Sequence, residues 1–307
     1  MHRKHSSSMA IGSSARSGAV QKRRGCATLP LAMAMAGVLS DVAIRDRIVT
    51  FLETQGRSAS LEALGRDVFR FRNPPVAFLR EMLRRLFADD PHLILREDDR
   101  VELRSEEGED RPLEESEFIV LDVETTGLHP IGDRVIEIAA FRVAGGNGRM
   151  RLQEEFVTLV NPGRPLPPTI VHLTGITPEM VARAPRFEEI VDELVAFLGP
   201  RVLVAHNARF DLAFLNAELQ RTRHKRLGHP RLCTLALSRR LFPELPNYRL
   251  PTVARYLGIE MERWHRARSD AWATARLFLR LLDPLAERGV RTLSEALCFQ
   301  ASRRSRR

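Results

Sequence analysis

Phe118-Ile-Val-Leu-Asp-Val-Glu-Thr-Thr-Gly127 is an apolar run that ends in two acids, two hydroxyls and a glycine. Its β-branched and apolar content predicts a strand buried on both faces. Residues two apart in a strand share a face, so Asp122 and Glu124 project together while Val123 turns the other way. An unpaired carboxylate is expensive to bury, so something must compensate these two. A divalent cation does so efficiently. Thr125-Thr126-Gly127 follows directly and adds hydroxyls and a glycine that frees backbone amides for a ligand.

Working outward, two more strands are expected near 134–143 and 151–159, joined as a hairpin by Gly145-Gly-Asn-Gly148. A helix near 187–197 leads into the strand Arg201-Val-Leu-Val-Ala-His206. Further helices are expected from about 211, over 251–257 and over 269–282. A meander followed by strand–helix alternation implies an α/β domain, a mixed sheet flanked by helices.

That layout gathers three more polar residues. Asp211, in His206-Asn-Ala-Arg-Phe-Asp211, follows a strand and enters a helix; alone it reads as a first-turn acid. Asp270 lies in the first turn of the last long helix among Ala271, Ala273 and Ala275, small residues that let the helix pack close to the sheet. His265 precedes that helix by a few residues. Mg²⁺ and Mn²⁺ prefer hard oxygen ligands, so carboxylates suit them better than Cys or His. Two such ions can stabilise both the attacking and the leaving oxygen of an in-line displacement at phosphorus. A histidine can take the proton from the attacking water at neutral pH. No serine or cysteine nucleophile is needed.

The net charge of the 307-residue chain is +9, and its excess is uneven: residues 201–307 hold 22 Lys and Arg against nine Asp and Glu. A basic field of this kind favours a polyanionic partner. Cys26, Cys233 and Cys298 have no metal-ligand spacing and form no disulfide framework, so a cytoplasmic location is expected. No apolar run reaches the roughly 18 residues of a membrane-spanning helix, so no membrane association is expected.

Residues 1–40 contain no Asp or Glu and read as a disordered basic leader, resembling a targeting segment in outline. From Asp41 a helical period places Ile44, Ile48, Phe51 and Leu52 on one face. Ser60 is positioned to cap a second helix, and Asn73 a third whose stripe is Leu79, Met82, Leu83 and Leu86. The strands 92–96 and 100–104 follow around Glu97-Asp98-Asp99. Three helices and a hairpin imply a small winged-helix-like α+β domain over 41–104. Arg80, Arg84 and Arg85 fall off the buried stripe, as a groove-facing helix needs, whereas the acidic hairpin tip would repel phosphate. Nucleic-acid binding and protein interaction both remain open for this module. Residues 105–117 carry seven acids and one Arg and read as a solvated linker. The α/β domain is expected over 118–285, and 286–307 as a basic tail.

The four acids and the histidine, with His265-x-Ala-x-x-Asp270 as the last motif, resemble the DEDDh branch of the DnaQ-like 3′–5′ exonucleases, which have an RNase H-like fold. Asp-Val-Glu-Thr-Thr-Gly and Leu173-Thr-Gly-Ile-Thr177 are similar to the proofreading epsilon type of bacterial DNA polymerase III. The resemblance covers residues 117–285. It implies that Asp122, Glu124, Asp211 and Asp270 bind two Mg²⁺ or Mn²⁺ ions and that His265 activates water. It also implies that Thr125 and Thr126 meet the terminal nucleotide and that Leu128 presses on the last base. His206, Asn207 and Phe210 would shape the pocket. The implied reaction releases nucleoside 5′-monophosphates from single-stranded 3′ ends of DNA. RNA is the alternative substrate, and an inactive DNA-binding regulator the alternative role. A polymerase or repair protein is the implied partner. The short tail and the front module depart from the replicative subunit and favour a stand-alone or repair-associated relative.

Overall fold

A computed structural model describes residues 41–55, 57–88, 93–103, 111–146, 149–223, 226–260 and 265–301. The expected leader, residues 105–110 of the acidic linker and the last six residues lie outside them. The chain divides into two units, 1–44 and 45–307. Of the first, only the opening of helix α1 (Asp41–Thr54) is described.

Within the second unit, β1 (Ser58–Ser60) leads into α2 (Leu61–Asp67). The Ser60 side chain caps α2 by accepting from the Ala63 N–H at 3.2 Å, as the sequence predicts. Gly65 permits the close approach of Pro74, whose Cβ would lie 2.3 Å from an added methyl. Helix α3 is Val76–Leu86 and its N-cap is Pro75, without a side-chain cap. Asn73 is therefore not the cap: the two prolines extend the chain before the helix begins. Leu79 and Leu83 are fully buried, each worth about 1.5–3 kcal/mol relative to exposure. Strands β2 (Leu93–Leu95) and β3 (Arg100–Leu103) form the expected hairpin, and β1 adds to it in the antiparallel order β1-β3-β2.

Arg80 is not free for a groove. Its Nε donates to Asp99 at 2.7 Å, and its Nη2 to the carbonyls of Arg96 and Glu97 at 3.0 and 2.9 Å. It neutralises and fastens the acidic turn. Arg84 and Arg85 both pair with Glu81 at 3.0 Å on the exposed helix face.

The larger domain is built on β4 (Phe118–Thr125), β5 (Val135–Gly146), β6 (Arg149–Leu159), β7 (Val202–Ala205) and β8 (Arg231–Cys233). Their order is β6-β5-β4-β7-β8, antiparallel from β6 to β4 and parallel from β4 to β8. Helices α4 (Pro168–Thr174), α5 (Pro178–Ala182), α6 (Phe187–Leu198), α7 (Ala208–Arg223), α8 (Thr234–Leu241), α9 (Leu250–Tyr256), α10 (Ala267–Glu287) and α11 (Leu293–Ala301) complete it. This is the expected mixed sheet flanked by helices.

Two cores lie on the two faces of the sheet, and β4 feeds both by parity. Phe118 and Val120 join residues of α8 to α11, including Ala271, Ala275 and Phe278. Ile119, Leu121 and Val123 join α6 and α7 through Val191, Leu194, Leu212 and Leu215. By the same parity Asp122 and Glu124 continue the Phe118–Val120 row, on the side covered by α10. The fully buried Ala267, Ala271 and Ala275 allow that helix its close contact.

Packing extends past the expected boundaries at both ends. Residues 111–113 pair with 291–293 through the Leu113 N–H to the Arg291 carbonyl (2.8 Å) and the Leu293 N–H to the Arg111 carbonyl (3.3 Å). Leu293, Ala296 and Leu297 of α11 are buried in the main core. The Gln300 amide caps the outer edge of β8, donating to the Arg231 carbonyl and accepting from the Cys233 N–H, both at 2.8 Å. Residues up to 301 belong to the domain rather than to a tail, because their apolar side chains complete its core. No described helix is long and apolar enough to cross a membrane.

Candidate active site

The site forms where β4 outruns its parallel neighbour. Pairing of β4 with β7 ends at Val120 and Val204, while β4 continues to Thr125. The Val123 N–H beyond that point donates instead to Asp211 Oδ1 at 3.3 Å. Asp211 is delivered by the first turn of α7, which begins directly after β7. Asn207 makes the turn with φ of 77°, a left-handed conformation that Asn tolerates, and its carbonyl accepts from the Phe210 N–H at 2.7 Å.

Asp270 comes from the opposite direction, in the first turn of α10. Oxygens of Asp122, Glu124 and Asp270 lie within 4.8 Å of one another. Among the described residues none donates a hydrogen bond to the carboxylate of Asp122 or Glu124. Among the described residues, Asp211 Oδ2 and Asp270 Oδ1 are buried without a hydrogen-bond partner.

The electrostatics follow. Burial, then repulsion from Asp211, Asp270, Glu124 and Glu137, holds the Asp122 carboxyl well above the ordinary carboxylate range. Burial first, and neighbouring acids second, push Glu124 to about 8. Burial lifts Asp211 to about 7 against its backbone hydrogen bonds, and Asp270 to about 6 against the bond from His265. Four carboxylates crowded in this way are short of positive charge: among the described residues only Arg266 draws Glu124 down, and burial and the neighbouring acids outweigh it. An all-oxygen donor set with buried unpartnered oxygens fits a hard divalent cation.

His265 is exposed, and its backbone takes φ of 59°. Its N–H donates to Asp270 Oδ2 at 3.1 Å, which ties the His265 turn to the acid cluster. The other expected residues take different parts. Thr125 and Thr126 are buried, and their hydroxyls serve the protein. Thr125 donates to the Gly127 carbonyl at 2.5 Å; Thr126 accepts from the Arg134 N–H at 3.0 Å and faces Asp133 at 3.3 Å. Gly127 is required for space, since an added Cβ would lie 2.4 Å from the Asp133 carboxylate. Leu128, next along, is 74% exposed.

His206 is pinned at both ring nitrogens, by the Tyr248 carbonyl at 2.8 Å and the Thr234 hydroxyl at 2.9 Å. A carbonyl can only accept, so Nε2 carries the proton and Nδ1 accepts from Thr234. Burial lowers its pKa to about 4 and keeps the ring neutral. Phe210 packs on Phe214 with ring centroids 4.9 Å apart.

Two buried acids are absent from the sequence-level reading. Glu137, 2% exposed on β5, is the cross-strand partner of Glu124 and is held by Arg266 and the Ala267 N–H. Glu218, 1% exposed on α7, is held by Arg134 at 2.8 and 2.9 Å and by the Val135 N–H at 3.1 Å. The available signal was a single acid inside an apolar run in each case, Val135-Ile-Glu137-Ile-Ala and Phe214-Leu-Asn-Ala-Glu218-Leu.

Known proteins share this domain. A family model described as exonuclease (RNase T type) matches residues 119–278. The PolC-type DNA polymerase III of Bacillus cereus is 41% identical over 179 residues, 58% of this chain and 12% of that protein. The epsilon subunit of DNA polymerase III of Aquifex aeolicus is 40% identical over 168 residues, 55% of this chain and 81% of that protein. The chain thus spans about an eighth of the length of the PolC-type relatives. Among solved structures, exonuclease X in complex with 5′-overhanging duplex DNA is 27% identical, covering 59% of this chain and 99% of that one with a TM-score of 0.46. With the family model spanning 160 of 307 residues over the sheet and the acid cluster, the chain belongs to the exonuclease family, in its DnaQ-like, epsilon-related branch.

Proposed function

We propose that the chain is a metal-dependent 3′→5′ exonuclease that hydrolyses DNA, preferring single-stranded ends, to nucleoside 5′-monophosphates. The observation that carries this reading is the convergence of Asp122, Glu124 and Asp270, with Asp211 alongside, where among the described residues Asp211 Oδ2 and Asp270 Oδ1 are buried without a donor. These four residues would hold two Mg²⁺ or Mn²⁺ ions, which supply positive charge at the phosphate being cleaved. His265 takes a proton from water as the water oxygen bonds to phosphorus. The bond from phosphorus to the 3′ oxygen of the preceding nucleotide breaks, and that oxygen gains a proton from solvent.

Leu128, exposed just past the metal-holding strand, presses on the terminal base. Thr125 and Thr126 shape the turn below it, and His206, Asn207 and Phe210 form the wall around Asp211. The polymerase names of the epsilon and PolC-type relatives favour DNA over RNA and a polymerase or repair protein as partner. The elements of 41–103 fit a winged-helix-like module. With Arg80 committed to the hairpin and Arg84 and Arg85 paired with Glu81, a protein partner suits it better than phosphate. Removal of residues 1–105 should then leave the salt slope of DNA binding unchanged; a shallower slope would contradict this.

The test of the main reading is digestion of 5′-labelled and 3′-labelled DNA and RNA oligomers with Mg²⁺, Mn²⁺ or EDTA. Stepwise shortening of DNA from the 3′ end, abolished by EDTA, is expected. Digestion that persists in EDTA or starts at the 5′ end overturns the proposal, and faster digestion of RNA reassigns the substrate.

A further inference from the structure

Glu137 and Glu124 face each other across one rung of the β4–β5 ladder, yet their surroundings are opposite. Glu124 has no hydrogen-bond partner among the described residues, whereas every oxygen of Glu137 is occupied. Arg266 Nη2 donates to Oε1 at 2.6 Å, and Arg266 Nε lies 3.2 and 3.1 Å from Oε1 and Oε2. The Ala267 N–H donates to Oε2 at 2.8 Å. A carboxylate bound by both arms of a guanidinium and by a backbone N–H has little capacity left for a metal. Glu137 therefore does something other than join the metal-holding acids.

Its partners show what. Arg266 directly follows His265 and is the N-cap residue of α10, with extended backbone (φ −138°, ψ 123°). Ala267, fully buried, is the first residue of that helix, and its N–H is one of the first-turn donors that have no partner within a helix. Glu137 accepts that N–H and grips the side chain one residue earlier. The next residue back is His265, held in the left-handed region at φ 59° with its own N–H on Asp270 Oδ2. A non-glycine residue in that region persists only where its surroundings hold it. Among the described residues, Asp270 holds the His265 N–H directly and Glu137 holds the two residues that follow it. Glu137 is also the last regular pair before the ladder bulges between Glu124 and Thr125, so the clamp sits at the end of the sheet where the acids open to solvent.

We propose that Glu137 and Arg266 are positioning residues for hydrolysis: their buried ion pair locks the turn before α10 and so sets where the His265 ring stands over the acid cluster. This rests on the reading of His265 as the group that takes the proton from water. A purely structural ion pair would stabilise the domain without regard to His265, and a double-mutant cycle separates the two roles.

Single-turnover hydrolysis of a saturating single-stranded DNA oligomer is measured for the full chain, for Glu137→Gln, for His265→Ala and for the double variant, with Mg²⁺. Glu137→Gln keeps the shape and the acceptor for the Ala267 N–H while weakening the grip on Arg266. It should lower the rate by about 10²-fold with the substrate concentration for half-saturation nearly unchanged, since proton transfer by a positioned base contributes about 10²–10⁴-fold. In the His265→Ala background the same substitution should change the rate by less than about threefold, because the group it positions is gone. An equal loss in both backgrounds overturns the proposal and leaves the pair structural. Should Glu137→Gln fail to fold, the same cycle is run with Arg266→Lys, which keeps the charge but loses the planar fork, and the same two outcomes decide. His265→Ala near wild-type rate would instead overturn the proton-acceptor reading on which the proposal rests. Mn²⁺ binding, followed by electron paramagnetic resonance, should be retained in Glu137→Gln; its loss would show that Glu137 holds the metal, and would also overturn the positioning role.

Discussion

Two groups of acids lie within the same domain, and they differ in who supplies the opposite charge. Glu137 and Glu218 are almost wholly buried and each is gripped by a guanidinium and a backbone N–H. Asp122, Glu124, Asp211 and Asp270 are crowded together and, among the described residues, receive at most backbone donors and leave two buried oxygens unpartnered. The first arrangement is complete within the protein; the second has the donor set that fits an added cation. Burial of an acid does not by itself mark a site, whereas burial without a partner does.

The largest effect that would sharpen this contrast is on activity. Asp122→Asn should lower the DNA hydrolysis rate by about 10³-fold or more, the order seen when charge stabilisation at the reacting group is removed. A rate near wild type would place Asp122 outside the chemistry. The same substitution should raise the thermal midpoint of the metal-free protein, because it removes one of four repelling carboxyls; a lower midpoint would contradict the crowding described here.

The partnered acids should respond in the opposite sense. Glu218→Ala leaves Arg134 without its partner and should cost about 3–5 kcal/mol in denaturant unfolding, the usual result of breaking a buried ion pair from one side. A loss below about 1 kcal/mol would show the pair to be solvent-screened.

Next in size is a pH effect on the metal-free protein. Glu124, Asp211 and Asp270 are pushed to about 8, 7 and 6, while in the unfolded chain they titrate near 4. Between those limits the folded state binds more protons, so stability falls as pH rises. His206, depressed to about 4, works the other way: the unfolded state binds its proton below about 6.5, and stability rises with pH there. The carboxylate trend should therefore stand alone between about pH 6.5 and 8. Thermal midpoints in EDTA should drop across that interval, and Mg²⁺ should remove most of the drop. A midpoint that rises across it would contradict the assignment. Smallest of all, Leu128→Ala should weaken DNA binding while changing stability by no more than about 0.5 kcal/mol, as expected of an exposed side chain; unchanged binding would remove Leu128 from the substrate path.

How much of this was legible in the sequence depends on how local each signal is. Strand parity alone places Asp122 and Glu124 on one face, and the alanines of α10 foretell its close approach. Glu137 shows locally only as a lone acid in an apolar run, and its meaning lies in Arg266, 129 residues away. Arg80 shows the converse case, a reading the sequence leaves open. Helical periodicity establishes that it leaves the buried stripe of α3, but not that it reaches the hairpin turn across from it. Helix α11 was hidden by its position before a basic terminus, and its three buried apolar residues make sense only against the core they complete. The hydroxyls of Thr125 and Thr126 looked free for a ligand, and the loop that returns through Asp133 and Arg134 claims the second of them.

The distinction between partnered and unpartnered acids is tested most directly by Mn²⁺ titration followed by electron paramagnetic resonance. The wild-type chain should bind Mn²⁺, Asp122→Asn should lose most of that binding, and Glu218→Gln should retain it. Mn²⁺ remaining free in the presence of the wild-type chain, or binding undiminished in Asp122→Asn, would contradict the account.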